Sequence, residues 1–315
     1  MHLGEILAQA PQRPASSVPD WMLGYFKRRA ISYANGLSDV QTHVCWLQSR
    51  NFSIDLRLPL EARQVAAKPL ARHSIEELLA RSEYEGWAAP CTWADGALSW
   101  SDATSFQLHD RWPEPALLQR IGNCMMEFAP SGAYVEDWRL QPSAPGPLIG
   151  LQLLEDREQA SGLLRHRGGG LIICGEYAAL VLGRSEVLPQ PTPQTRLREL
   201  VARHADDLQW LRGAFEFETS VALGSLSEGF SVTLSTLPQR VRQPLIPLQG
   251  FERLDDGRHL RQTLMVDGIV RQRLFLIDTL ESVLPFDQAT GFSAPSASWF
   301  DGESLALRRY IQPLF

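Results

Sequence analysis

Residues 40–59, VQTHVCWLQSRNFSIDLRLP, carry two runs of alternating side chains around a short polar turn. In the first run Val40, Thr42, Val44 and Trp46 share one face, and in the second Phe52, Ile54, Leu56 and Leu58 do. A period of two is the mark of a half-buried strand, so the spacing predicts an antiparallel hairpin turning at Ser49-Arg50-Asn51. Pro59 lacks the N–H that a ladder needs and should end the second strand.

Working outward, most of the chain repeats this logic. Residues 1–19 hold three prolines and no sustained pattern, which predicts a loosely attached arm. A strand over 29–33 leads into the hairpin. Between Leu60 and Glu83 the period changes: Ile75, Leu78 and Leu79 fall at helical spacing and Ser74 can form a capping box with Glu77. Strands return with Trp87, Trp93 and Trp100, broken by the hairpin signal Asp95-Gly96. Segments 122–128 and 133–140 flank Pro130-Ser131-Gly132, and 148–154 is expected to close the first half. Gly168-Gly169-Gly170 reads as a flexible passage into the second half. There, apolar strands over 171–182 precede one helix over 195–211, and further hairpins turn at Asp255-Asp256-Gly257 and Asp267-Gly268.

Short strands, short connections and few helices predict a mainly β protein of two antiparallel lipocalin-like or calycin-like barrels. The expected organisation is an arm (1–19), a first barrel (20–160), a second barrel (161–285) and a C-terminal extension packing back on both (286–315). A chain of 315 residues is comfortable for two cores.

Composition excludes several classes. The net charge of -6 argues against a nucleic-acid binder. No apolar run approaches the roughly 18 residues that cross a bilayer, and the N-terminus has no secretory pattern, which predicts a soluble cytoplasmic protein. The widely spaced Cys45, Cys91, Cys124 and Cys174 suit buried thiols rather than disulfides or zinc. The sequence holds no phosphate loop, nucleophile elbow, HExxH or CxxC motif, so we assign no catalytic residue, no metal and no cofactor. An anion nest at the triple glycine lacks the following helix it would need.

Two segments carry paired chemistry. In Tyr134-Val135-Glu136-Asp137-Trp138-Arg139, Tyr134, Glu136 and Trp138 share one face while Asp137 and Arg139 share the other. Asp55 and Arg57 flank Leu56 in the same way. Charges on an inward face must pair or meet a polar ligand, because an isolated buried charge costs several kcal/mol. The candidate ligand-binding residues are therefore Trp46, Arg57, Tyr134, Asp137, Trp138 and Arg139, with the proviso that only one face of residues 134–139 can look inward.

The order of these features, a WLQ strand, a turn, FSIDLRLP and later PSGAYVEDWRLQP, resembles a poorly characterised family of fungal and bacterial proteins. Its fungal member is a kinase-interacting protein described as two lipocalin-like or streptavidin-like barrels. The likeness is strongest over residues 21–155; it implies the fold and brings no catalytic residues.

Three functions are open. The leading one is a cytosolic barrel binding a small, largely apolar molecule whose acidic or polar end Arg57 or Arg139 orients. The second is an interaction module, meeting a protein partner or second copy through strand edges or the 195–211 helix. The third is a cofactor-free hydratase or cyclase using Glu136, Asp137 or His43 as acid or base.

Overall fold

The computed structural model describes residues 1–109, 114–286, 298–299 and 301–302. The first half contains strands β1 (Gly24–Tyr33), β2 (Ser38–Asp39), β3 (Thr42–Gln48), β4 (Phe52–Pro59), β5 (Glu85–Ala94), β6 (Ala97–Trp100), β7 (Thr104–Ser105), β8 (Ala116–Ile121), β9 (Cys124–Phe128) and β10 (Tyr134–Leu140). Eight of them, in the order β10-β9-β8-β6-β5-β4-β3-β1, form an antiparallel barrel that closes where β10 pairs with β1. Closure removes the open edges that a sheet of this size would otherwise present.

The second half contains β11 (Gly146–Glu158), β12 (Leu164–Arg167), β13 (Gly169–Cys174), β14 (Tyr177–Leu182), β15 (Glu218–Ser225), β16 (Gly229–Ser235), β17 (Phe251–Arg253), β18 (His259–Val266) and β19 (Ile269–Leu284). Its sheet runs β16-β15-β14-β13-β11-β19-β18-β17, with β12 beside β11, and it does not close. Irregular backbone covers the two ends instead. Val232 N–H donates to Gln243 and Leu245 N–H to Phe230 at the β16 end, while Met1 and Phe251 exchange hydrogen bonds at the β17 end.

Local chemistry accounts for these elements. Asp95-Gly96 and Asp267-Gly268 have φ values of 51° and 81°, and 50° and 78°, the left-handed pair that a two-residue type I′ turn requires. Four α-helices stand out among the described residues: α1 (Leu3–Gln9), α2 (Ile75–Arg81), α3 (Leu197–Arg203) and α4 (Leu208–Phe215). The Ser74 hydroxyl accepts from Glu77 N–H at the start of α2 and the Glu77 carboxylate accepts from Ser74 N–H, completing the expected capping box.

The two sheets press face to face through one apolar layer. From the barrel it takes Phe52, Ile54 and Leu56, and from the second sheet Ile172, Val181 and Val221. Contact is close: a β-carbon on Gly86 would lie 2.6 Å from the Thr219 Cβ, and one on Gly170 would lie 2.9 Å from the Phe52 ring. Strand β4 is consequently buried on both faces, the apolar one toward the second sheet and the one bearing Ser53, Asp55 and Arg57 toward the barrel interior. Polar contacts pin the β3–β4 turn to β19. Arg50, only 1% exposed, pairs with Glu281 at 2.5 Å and with Asp20 at 2.8 Å. Ser49 and Asn51 both donate to Asp278, at 2.5 and 2.8 Å.

Several expectations change. Residues 1–19 are not a loose arm. His2 and Glu5 cap α1, and Leu3, Ile6 and Leu7 fill the concave side of the second sheet beside Leu245, Ile246 and Leu248. Strand β11, expected to close the first half, is central to the second sheet, between β13 and β19. The triple glycine lies inside that sheet, where Gly169 (φ 111°) lets the chain pass close to Val181. The helix expected over 195–211 is two helices, because Asp207 accepts from Trp210 N–H and caps a fresh start. Of the C-terminal extension, 287–297, 300 and 303–315 lie outside the described residues, while Trp299 meets the Phe128 ring edge-on at 5.5 Å.

Two substitutions test this packing. Ile6→Ala should lower unfolding stability by about 2–5 kcal/mol in urea titrations, where a loose arm would give no change. Gly86→Ala should cost about 1–3 kcal/mol in the same measurement, through collision with Thr219.

Candidate functional site

The barrel interior is shaped by the sorting of β4. Because its apolar side chains are taken by the interface, its polar ones point inward, and the neighbouring strands follow in register. Asp55 lies opposite Trp46 on β3 and Trp87 on β5, and Arg57 lies opposite Glu85. In the next hairpin, Glu136 on β10 is the register partner of Glu127 on β9.

One end of the barrel is sealed. Arg120 stacks over the Phe26 ring at 5.3 Å and donates to the Trp21 carbonyl at 2.6 Å, while Trp21 meets Trp93 edge-on at 5.5 Å. Further in, Trp46 contacts Trp138 at 5.3 Å and Trp100 at 6.0 Å, and Trp100 contacts Trp87 at 5.8 Å. The indole N–H groups of Trp46, Trp100 and Trp138 are satisfied by Gln48, Ser53 and Glu127 respectively. These four tryptophans, with Asp55, Arg57 and Glu127, line a cavity of about 220 Å3. Gln107 and His109 stand where it meets a wider recess of about 610 Å3 at the mouth. His109 is tied to the Thr195 carbonyl at 2.7 Å, which anchors this side of the mouth to the lead-in of α3.

The charges form a chain. Arg57 donates to both Asp55 oxygens, at 2.9 and 3.4 Å, and its other terminal nitrogen lies 4.0 Å from Glu136. Glu136 in turn takes Arg28 at 2.6 Å, and Arg28 reaches Asp39 at 2.9 Å. Burial opposes the charge of Arg57, yet the facing Asp55, Glu136 and Glu85 more than offset this and hold its proton firmly. Burial pushes the Asp55 carboxyl up, with Arg57 pulling the other way. Burial, aided by the charge of Glu136, raises Glu127 to about 8, although Trp138 and Tyr134 both donate to it, at 2.9 and 3.1 Å.

The sequence-derived candidates divide by face. Trp46, Arg57 and Trp138 line the cavity, and Tyr134 points inward and reaches Glu127. Asp137 and Arg139 are corrected: they lie on the outer face of β10, paired with each other at 2.7 and 2.9 Å, because Tyr134, Glu136 and Trp138 occupy the inner one. His43, considered as a base, pairs with the exposed Glu61 at 3.0 Å. Sequence reasoning passed over Glu127. Its signal was an acid alternating with Met125 in the otherwise apolar run CMMEF, opposite a segment already holding an acid.

Comparison with protein-family models, curated proteins and solved structures finds no match.

Glu127 makes a pH prediction. Its folded-state carboxyl keeps its proton to about pH 8, whereas its ordinary value is 4.5. The stability this group contributes is therefore complete below its ordinary value and is lost as pH rises through 8. Between about pH 5 and about pH 9, the urea midpoint should fall less for Glu127→Gln than for the unsubstituted protein.

Proposed function

We propose that the closed barrel binds a small molecule with a flat, largely apolar body, held between indole rings and oriented by the polar groups of β4 and β9. The observation that carries this reading is the cavity, where tryptophans and buried charges converge on open space inside a closed wall. A barrel built only for stability would fill that volume with apolar side chains, since buried ion pairs are weak stabilisers. Pockets of this kind, apolar walls with a few placed polar groups, are how proteins hold small ligands.

The second sheet supports a division of labour. Its concave side is occupied by α1 and the 245–248 segment, so in this reading it braces the barrel and holds no ligand of its own. We further infer that the two units are variants of one calycin-like plan, closed in the first and open in the second. The family resemblance over 21–155 spans the closed barrel and belongs to the same proposal. So does a cytoplasmic location, supported by four buried free cysteines and by the absence, among the described residues, of any helix long and apolar enough to cross a membrane.

The interaction-module reading loses its helical surface. Leu197, Leu200 and Val201 of α3, with Leu211 of α4, are already buried in the protein. An enzyme remains a second reading, favoured by Glu127: a carboxyl still protonated at neutral pH beside an aromatic cavity can donate a proton to a bound substrate.

Native mass spectrometry of freshly purified protein, together with tryptophan-fluorescence titration with benzyl alcohol and indole, tests the binding reading. Ala89 is buried and lines the cavity, so Ala89→Phe should fill it. Saturable quenching that Ala89→Phe abolishes, with its circular dichroism unchanged, is the expected result. Indistinguishable titrations of the two proteins would refute it.

A further inference from the structure

We propose that the ligand of the closed barrel carries a positive charge, as a protonated amine or quaternary ammonium on a single-ring body. This rests on the barrel being a ligand site and adds the sign of the charge it selects.

The first argument is the balance of charge. Asp55 and Glu85 are the carboxylates of the cavity wall, and Glu114 joins them in the lining. Against them the lining contributes the guanidinium of Arg57 and the imidazole of His109. Arg57 is engaged twice over, clamped on Asp55 and facing Glu136. Arg28, the next guanidinium along, is held between Glu136 and Asp39. An incoming carboxylate would have to take Arg57 from a buried partner and leave Asp55 uncompensated, which costs several kcal/mol. A cation asks for no such exchange.

The second argument is the wall. Indole is the side chain whose ring attracts cations most strongly, and four of them surround this space. Aromatic walls backed by carboxylates make a cage for an ammonium group, whereas the negative faces of the rings repel an anion. Size sets the body: a cavity of about 150 Å3 holds benzene, so about 220 Å3 suits one ring with a short charged arm.

The test uses the full-length protein and three probes sharing one ring: benzylamine, benzyl alcohol and benzoate, titrated at neutral pH by calorimetry and tryptophan fluorescence. We expect benzylamine to bind about tenfold or more tighter than benzyl alcohol, with benzoate weakest. Glu85→Gln and Asp55→Asn should each narrow the amine-to-alcohol ratio, and added salt should weaken the amine alone. If benzoate or the alcohol binds tightest and Ala89→Phe abolishes that binding, the cation inference fails while the barrel remains a ligand site. If Ala89→Phe affects none of the three titrations, the ligand site itself fails and the cation inference with it.

Discussion

The structure depends on one constraint: the wall made by β3, β4 and β5 is buried on both of its faces. A strand between water and a core can put apolar side chains in and polar ones out. This wall has no watery side. Its apolar side chains went to the larger and flatter contact, the second sheet, where burial is worth about 25 cal/mol per Å2. The polar set, Ser53, Asp55 and Arg57, was left for the barrel interior. There it had to be neutralised, and the chain from Asp55 through Arg57, Glu136 and Arg28 to Asp39 does this. The candidate site is thus a by-product of how two sheets share a layer.

The same constraint explains what the sequence could and could not reveal. Strands, the Asp95-Gly96 and Asp267-Gly268 turns and the Ser74-Glu77 box were legible because each depends on residues within a few positions of one another. Period two also grouped Tyr134 with Trp138 and Asp137 with Arg139 correctly. It could not say which group faces inward, because that is decided by the closure of β10 on β1, about a hundred residues earlier in the chain. Alternation likewise placed Val40 with the hidden residues of the hairpin, yet it is 65% exposed, since β3 begins only at Thr42. The division between the units was illegible for a related reason: Leu148–Leu154 is equally apolar whether it ends one sheet or centres the next. Glu127 was missed because a lone acid on a short strand resembles a surface residue until closure turns that face of the β9–β10 hairpin inward.

Electrostatics and packing meet at Glu127. Two hydrogen-bond donors would ordinarily favour the ionised carboxylate. Burial and the charge of Glu136 outweigh them, so the barrel keeps a proton that it can surrender. The tryptophans contribute to this as well as to shape, because the water they exclude would otherwise stabilise the charge.

The buried turn at Ser49-Arg50-Asn51 reaches beyond the hairpin it closes. With its tip held by Asp278 and Glu281 of the last long strand, the cup is completed only when that strand is in place. A ribosome would emit the lining of the cup first and the clasp of Asp278 and Glu281 long after it, so the nascent first unit carries an oily flank until the strands of the second sheet follow. Severing the two units into separate polypeptides would leave the same flank bare, and the halves would have to find each other before either could work.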